Sequence, residues 1–361
     1  MTILVAILGL ILLIVIHELG HMLVAKAMGV HVPEFGIGFG PALFKKKIGK
    51  TVYSFRIILL GGFAKMKGME GVASVEKETG EMGEDSYPSK PPWRRALIIF
   101  AGPFANLLAA VLIFAAVFMY GVQTGAETEI EQVVPGSLAA DVGLRPGDTI
   151  VEAEGTPVAR WEDFEEAVGG KRPGDEVAFA VQRGGERLEF DGALKPAPGE
   201  PERAIVGVQP VPIYTSYGPI EALRLGVEQS ARIIGLFGWF VGQLFTPDDP
   251  YTVSNSVSSP IGVVSITSDV ASRGVVAFAQ LLAFISLNLA VFNLLPILPL
   301  DGGHLFFIAA EKVLGRPVKA ETMGKVAALG IALVLTLFLF ATYTDLSKII
   351  TGQPFIPEQR P

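Results

Sequence analysis

An uncharged apolar run, residues 2–16, leads directly into the motif HELGH at residues 17–21. Such a run is typical of a helix entering a bilayer. In a helix, His17 and His21 lie one turn apart on the same face and can bind one Zn²⁺, while Glu18 can exchange protons with a bound water. A polar group near mid-membrane costs about 2.5–3.5 kcal/mol, so three together indicate a function that compensates for this cost.

The composition limits the class of protein and the kind of metal site. Half of the 361 residues are hydrophobic, which predicts several membrane-spanning helices. The chain has no cysteine and four histidines, so a metal must be bound by histidine and carboxylate groups. The formal net charge of −7 argues against a nucleic-acid partner.

Four apolar segments predict a polytopic α-helical membrane protein. They are residues 2–29, 96–120, 275–295 and 324–343, and each is long enough for the ~30 Å hydrocarbon core of a lipid bilayer. No basic segment precedes the first one and no small-x-small cleavage pattern follows it. We therefore expect a retained helix, not a cleaved signal peptide.

The distribution of charge predicts the topology. Lysine and arginine are concentrated between spans one and two, where Lys45-Lys46-Lys47 is expected to contact anionic lipid. The positive-inside rule places this loop in the cytoplasm and the long region between spans two and three outside. In the inner loop, residues 35–68 are expected to form a membrane-associated β-hairpin. We expect its two strands within Val52–Met66, joined by a turn at Gly61-Gly62, with an edge open to a substrate strand.

The outer region contains an inserted domain at residues 125–212. It combines short helices, one at residues 161–168, with strands at 176–181 and 187–190 that are joined by Gly184-Gly185. The pattern PGSxAxxxGLxPGDxI resembles the PDZ domains of bacterial envelope proteases. This resemblance implies a β-rich α+β domain that either binds a peptide C-terminus or acts as a size filter.

Residues 213–262 are expected to form an extracytoplasmic amphipathic helix and a loop. Residues 219–245 have the helical periodicity, with charges such as Arg224, and residues 246–259 form a polar linker. The alternative is a fifth span. It would bury these charges in lipid and reverse the sidedness of everything that follows.

A third zinc ligand is needed, and Asp301 is the best candidate. It lies in segment 293–303, where two prolines and two glycines break the helix. With four spans, the first and third run in the same direction. Because His17 lies about 22 Å along the first helix, it reaches the same depth as Asp301. The alternative role for Asp301 is to cap the following helix.

Other polar or small residues near this site have structural alternatives. Asn293 could hydrogen-bond the substrate or the developing oxyanion, or form an interhelical hydrogen bond. Gly102 and Asn106, one turn apart, are interpreted as a close helix contact. His31 and His304 are expected to be interfacial residues outside the site.

These motifs cover nearly the whole chain and resemble the site-2 proteases, which are intramembrane zinc endopeptidases. The resemblance extends to four further segments, namely residues 36–40, 60–63, 101–106 and 259–262. It is most specific to bacterial envelope-stress members with a PDZ insertion. Enterobacterial members have two tandem PDZ domains, whereas this chain has room for one.

The resemblance implies a mechanism and substrates. Zinc would be bound by His17, His21 and Asp301, with Glu18 as the general base and Asn293 at the substrate. Implied substrates are transmembrane segments of single-span proteins in the bacterial inner membrane, such as anti-sigma factors or remnant signal peptides. The active site would face the cytoplasmic leaflet, and the membrane domain would be formed by residues 1–124 and 263–361.

Two other classes of protein remain as alternatives. A proteolytically inactive scaffold would present its PDZ domain to partners, but Glu18 beside both histidines argues against it. A metal transporter would need further buried ligands along a path, and the other spans contain no such cluster.

Overall fold

The computed structural model describes residues 2–69, 83–197, 200–243, 260–316 and 318–351. The chain forms two compact units, Phe118–Gly218 and a second that combines Met1–Val117 with Pro219–Pro361. The helices are α1 (Thr2–Ala27), α2 (Pro92–Tyr120), α3 (Leu138–Asp141), α4 (Trp161–Val168), α5 (Pro219–Gln243), α6 (Pro260–Ser272), α7 (Val275–Asn293), α8 (Asp301–Leu314) and α9 (Ala320–Thr351).

Four helices among the described residues are long and apolar enough to cross a membrane. They are α1, α2, α7 and Glu321–Lys348 of α9. All four segments expected from the sequence are therefore helical, although their ends differ by a few residues. The helix α2 begins at Pro92, because proline lacks the N–H that would be unpaired at that position and its φ angle suits a first helical turn.

The packing of α1 fixes the directions of its neighbours. Gly20 lies against the carbonyl of Ala101 on α2, so the two helices approach closely. Near the other end of α1, Thr2 accepts a hydrogen bond from Ser268 at 2.9 Å, and Gly9 faces Phe278 in the first half of α7. At the other end of α7, Asn293 lines the same cavity as His17 and His21, so α7 runs in the same direction as α1.

The helix α5 packs along other helices of its unit. Gly226 lies against the backbone of Val111 on α2, and the rings of Phe237 and Phe292 are 4.9 Å apart. This helix therefore packs beside α2 and α7. The next described helix, α6, lies beside the start of α1, where Ser268 donates its hydrogen bond to Thr2. The predicted linker, residues 246–259, lies outside the described residues.

The expected β-hairpin is present between α1 and α2, but its turn is elsewhere. It consists of β1 (Glu34–Ile48) and β2 (Thr51–Lys65), which pair antiparallel across the turn at Gly49. Residues 34–37 lie between residues 52–55 and 62–65 of β2. The prediction of two paired strands about Gly61-Gly62 is therefore wrong, since part of β1 separates the two halves of β2.

The strand-rich unit contains the two short helices α3 and α4. Its strands are β3 (Val122–Val133), β4 (Thr149–Ala153), β5 (Thr156–Pro157), β6 (Glu176–Arg183), β7 (Glu186–Ala193), β8 (Lys195–Ala197), β9 (Glu200–Ile205) and β10 (Val208–Thr215). The main sheet has the order β10-β3-β4-β6-β7, with β5 paired to β4. Its buried core includes Ile130, Ile150, Trp161 and Val181.

A buried ion pair connects β6 with the turn before β4. Asp148 is 1% exposed, and its carboxylate accepts hydrogen bonds from Arg183 at 2.6 and 2.7 Å and from the N–H of Arg145 at 2.8 Å. Burial alone would raise the pKa of Asp148. The hydrogen bonds and the positive charge of Arg183 outweigh burial and hold the pKa below its ordinary value.

Candidate metal centre

The structure brings the three predicted ligands together. His17 and His21 lie on α1, and Asp301 is the first residue of α8. The Oδ2 atom of Asp301 is 3.1 Å from His17 Nε2 and 3.3 Å from His21 Nε2, and the two Nε2 atoms are 3.2 Å apart. Within the described ranges, no second group of three or more histidine, aspartate or glutamate side chains converges in this way.

The geometry of these three atoms fits a zinc ion. Tetrahedral zinc with bonds of about 2.0–2.1 Å requires neighbouring ligand atoms to be about 3.3–3.4 Å apart. The Oδ2 atom of Asp301 is buried and receives no hydrogen bond. A buried carboxylate oxygen without a donor is costly unless a cation binds it. The two imidazole nitrogens and this oxygen therefore provide three of the four ligands of a tetrahedral zinc site, and the fourth position is open.

Two features of α2 position the ring of His21. Its Nδ1 lies 2.9 Å from the carbonyl oxygen of Ile98, which accepts the Nδ1 proton and leaves the Nε2 lone pair for the metal. A Cβ at Gly102 would overlap the same ring. The absence of a side chain at Gly102 thus provides the space in which His21 lies.

The break after α7 positions Asp301. Residues 296–300 fold back so that the backbone around Leu294 and Leu298 lies against Gly302 and Gly303, with no space for a side chain at either glycine. The carbonyl of Leu298 in turn lies against Gly330 on α9. The cap of α8 is Leu300, with no side-chain hydrogen bond, so Asp301 does not serve as the capping residue.

A cavity of about 280 Å³ opens beside the three ligands. Its lining also contains Glu18, Asn293 and part of β2, including Phe63. A Cβ at Gly62 would lie 3.1 Å from Cγ of Glu18, so β2 passes directly over this carboxylate. The cavity thus adjoins the ligands, a candidate base and a β-strand.

Asn293 lies at the last turn of α7 and lines the cavity, as expected. Its Nδ2 donates a hydrogen bond to the carbonyl of Leu289 at 2.9 Å. An amide side chain has two N–H donors and an oxygen acceptor. One N–H is used within α7, which leaves a second N–H and the oxygen of this cavity-lining residue.

The prediction that His304 lies outside the site is wrong. The helix α8 starts at Asp301 and continues through His304. Residues three apart share a helix face, so His304 lies beside Asp301 and lines the cavity. Burial lowers the pKa of His304, which favours the neutral imidazole. His31 does not line the cavity.

Gly102 and Asn106, which the sequence suggests as a close helix contact, lie against the two histidine ligands. Gly102 makes room for His21, and Asn106 contacts His17, with Asn106 Nδ2 3.3 Å from His17 Nδ1. The close backbone approach between the two helices occurs instead at Gly20 and Ala101. The sequence pattern that could have indicated these contacts is a glycine and an asparagine one turn apart in an apolar helix, which runs antiparallel to the helix that carries the two histidines.

Comparison with known proteins identifies the family. The profile of Peptidase family M50 matches residues 5–337. A candidate zinc metalloprotease of Agrobacterium fabrum is 35% identical, with 95% of each chain covered. Zinc metalloprotease RasP of Shouchella clausii is 28% identical, with 94% of this chain and 97% of that protein covered. The PDZ domain of an SdrC-like protein from Listeria monocytogenes is 24% identical, covering 25% of this chain and 94% of that one, with a TM-score of 0.21.

The family match spans more than nine tenths of the chain and includes the three convergent side chains at positions 17, 21 and 301. The four apolar helices agree with a membrane location. The chain therefore belongs to Peptidase family M50, the site-2 proteases, and is a zinc-dependent intramembrane metalloprotease.

Proposed function

We propose that this protease cuts transmembrane segments of single-span membrane proteins and releases cytoplasmic fragments. His17, His21 and Asp301 hold the zinc ion, and Glu18 is the general base. The observation that carries this proposal is the convergence of three ligand atoms, 3.1–3.3 Å apart, beside Glu18 in one cavity. By resemblance, the substrates are anti-sigma factors already trimmed outside the membrane, or remnant signal peptides.

The chemistry follows from the positions of the side chains. Zinc supplies Lewis-acid polarisation of the scissile carbonyl and lowers the pKa of a water toward about 7. Glu18 takes a proton from the attacking water and passes it to the leaving amine. The free N–H of Asn293 donates a hydrogen bond to the substrate backbone or to the developing oxyanion.

The edge of β2 is the proposed substrate-binding strand. Residues 62–64 line the cavity, and residues 62–65 pair on one side with residues 34–37. In the part of the chain that the structure describes, residues 62–64 have no strand partner on their other side. A helical substrate hides its backbone amides, so it must unwind before it can pair with this edge and be attacked.

The proposed topology places the enzyme in the bacterial inner membrane, with the active site toward the cytoplasmic leaflet. The basic loop with Lys45-Lys46-Lys47 supports an inner location for β1 and β2. The parallel directions of α1 and α7 support an odd number of crossings between them. We propose that α2 is this crossing, and that α5 and α6 together enter and return without a net crossing.

The strand-rich unit is the proposed extracytoplasmic PDZ domain. Its sheet and two short helices agree with the pattern expected from the sequence. It either binds the C-terminus of a trimmed substrate or keeps bulky intact substrates away from the membrane site. Binding of a C-terminal peptide to the full-length protein would favour the first function, and faster cleavage of untrimmed substrate by a variant without this unit would favour the second.

The proposal is tested with Glu18→Gln in the full chain. This variant keeps the three ligands, so we expect the parent's zinc content with cleavage of a single-span model substrate at least about 100-fold slower. Glu84→Gln, an exposed glutamate away from the site, is the matched control and should cleave at the parent rate. Unchanged cleavage by Glu18→Gln would overturn the mechanism.

A further inference from the structure

Asn106 is fully buried on α2 and is fixed from two sides. Its side-chain Nδ2 lies 3.3 Å from Nδ1 of His17 on α1. Its backbone oxygen accepts a hydrogen bond from Ser286 Oγ on α7 at 2.8 Å. Asn106 therefore lies behind the ligand His17, on the side of the ring opposite the metal position.

The orientation of this amide is incompatible with metal binding. An N–H of Asn106 that faces Nδ1 of His17 needs a lone pair there, so the imidazole proton must be on Nε2. In that tautomer, the Nε2 proton occupies the lone pair that faces Asp301 Oδ2, 3.1 Å away, so Nε2 cannot bind a cation there. The Oδ1 atom of Asn106 is meanwhile buried without any hydrogen bond.

A half-turn of the amide exchanges its oxygen and nitrogen. We propose that, in the zinc-loaded enzyme, Asn106 presents Oδ1 to His17 and accepts a hydrogen bond from Nδ1–H. Asn106 is then a positioning residue, which keeps Nε2 of His17 deprotonated and aimed at the metal. This inference rests on the proposed ligand set and adds to it a specific partner for His17.

The two histidine ligands are then held in equivalent ways by one helix. His21 donates Nδ1–H to the carbonyl of Ile98, and His17 donates to the side chain of Asn106. Because α2 runs antiparallel to α1, its residues 98 and 106 reach residues 21 and 17 in reverse order. A backbone carbonyl always accepts, whereas an amide accepts only when its oxygen faces the ring.

The test measures metal affinity in the purified full chain. Asn106→Leu keeps the branching at Cγ but has no acceptor, and we expect it to bind Zn²⁺ about 10–100-fold more weakly in chelator competition. Asn106→Asp keeps an oxygen in either orientation and should bind at least as tightly as the parent. Ser286→Ala removes the neighbouring hydrogen bond without touching His17, and it should leave Zn²⁺ affinity at the parent value.

Spectroscopy separates positioning from a general structural effect. With Co²⁺ in place of Zn²⁺, the visible bands should change in Asn106→Leu and match the parent in Asn106→Asp and Ser286→Ala. With only four histidines in the chain, ¹⁵N NMR of the zinc-loaded parent can report the His17 tautomer directly. We expect a protonated Nδ1, and this measurement requires no variant to fold.

The outcomes distinguish this inference from the proposed function. Parent-like Zn²⁺ affinity in Asn106→Leu, or a bare Nδ1 on His17 in the loaded parent, overturns the role of Asn106 alone. A parent that binds no Zn²⁺, or that binds it equally well without His17, overturns the ligand set and this inference with it.

Discussion

At the scale of single residues, Gly102 has the sharpest steric requirement in the site. A Cβ at this position would overlap the ring of His21. We therefore predict that Gly102→Ala displaces a zinc ligand and lowers zinc affinity by about tenfold or more, with a matching loss of activity. Metal analysis of the purified variant, with circular dichroism as a check of folding, measures this effect.

Gly238→Ala is the matched control for this substitution. Gly238 is also helical, on α5, and a Cβ there would have no neighbour within 4 Å. The control should keep full zinc content. If Gly102→Ala also keeps full zinc content and affinity, His21 does not need the space that the structure assigns to it.

The second residue-scale prediction concerns Asp148 and pH. Its folded-state pKa lies below the ordinary value near 3.9, so its stabilising contribution is present above that pH and is lost as pH falls through the folded pKa. We predict that the strand-rich unit loses stability below about pH 4. Asp148→Asn should lower its free energy of unfolding by about 1–3 kcal/mol near neutral pH and weaken this acid dependence.

The buried Trp161 is a local probe for this measurement. Denaturant unfolding of the full chain can be followed by Trp161 fluorescence after Trp93 and Trp239 are replaced by phenylalanine. The exposed Asp191→Asn is a control that should keep the acid dependence of the parent. An Asp148→Asn variant with the same acid dependence as the parent would contradict the assignment.

At the scale of elements, an ion pair connects α2, whose residues contact both histidine ligands, with α8, which carries Asp301. Arg95 near the start of α2 lies 2.8 Å from both carboxylate oxygens of Glu311 on α8. Both side chains are largely buried, with 15% and 24% exposure. We predict that Arg95→Met and Glu311→Gln each destabilise the protein and slow cleavage, since α8 would no longer be fixed relative to α2.

A double-mutant cycle measures this coupling. The unfolding free energies of the two single variants and the double variant should give an interaction energy of about 0.5–3 kcal/mol. The pair Glu321–Lys325 on α9 is the control, because both side chains are 76% exposed and such pairs contribute little. Additive effects at Arg95 and Glu311 would mean that the contact does not couple the helices.

The sequence predicts some elements well and others poorly, for physical reasons. Long apolar segments are distinctive, so the four candidate spans could be located to within a few residues. The helix α6 was missed because its serine, threonine and aspartate residues weaken the apolar pattern. The turn in the β1–β2 region was misplaced because Gly61-Gly62 is a strong local turn signal, whereas the pairing is decided by distant residues 34–37.

At the scale of the whole molecule, the sequence likewise predicts some features of the site and not others. Counting crossings predicts that Asp301 lies near the two histidines, because helix length is set by the thickness of the bilayer, and the three side chains do converge. The contacts of Asn106 and Gly102 with the ligands depend on the rotation of α2 about its axis. The start of α8 at Asp301 likewise decides where His304 points. Tertiary packing sets such details, and an amphipathic pattern is too weak in an all-apolar helix to reveal them.

The last prediction tests the topology of the complete chain, and the absence of cysteine makes it direct. Single cysteines at Lys46, Glu186 and Arg273, all exposed, can be labelled with a membrane-impermeant maleimide in spheroplasts. We predict immediate labelling at positions 186 and 273, and labelling at position 46 only after permeabilisation. Position 273 is decisive because it precedes α7, so a fifth crossing by α5 would place it inside. Protection of position 273 in intact spheroplasts would therefore overturn the topology proposed here.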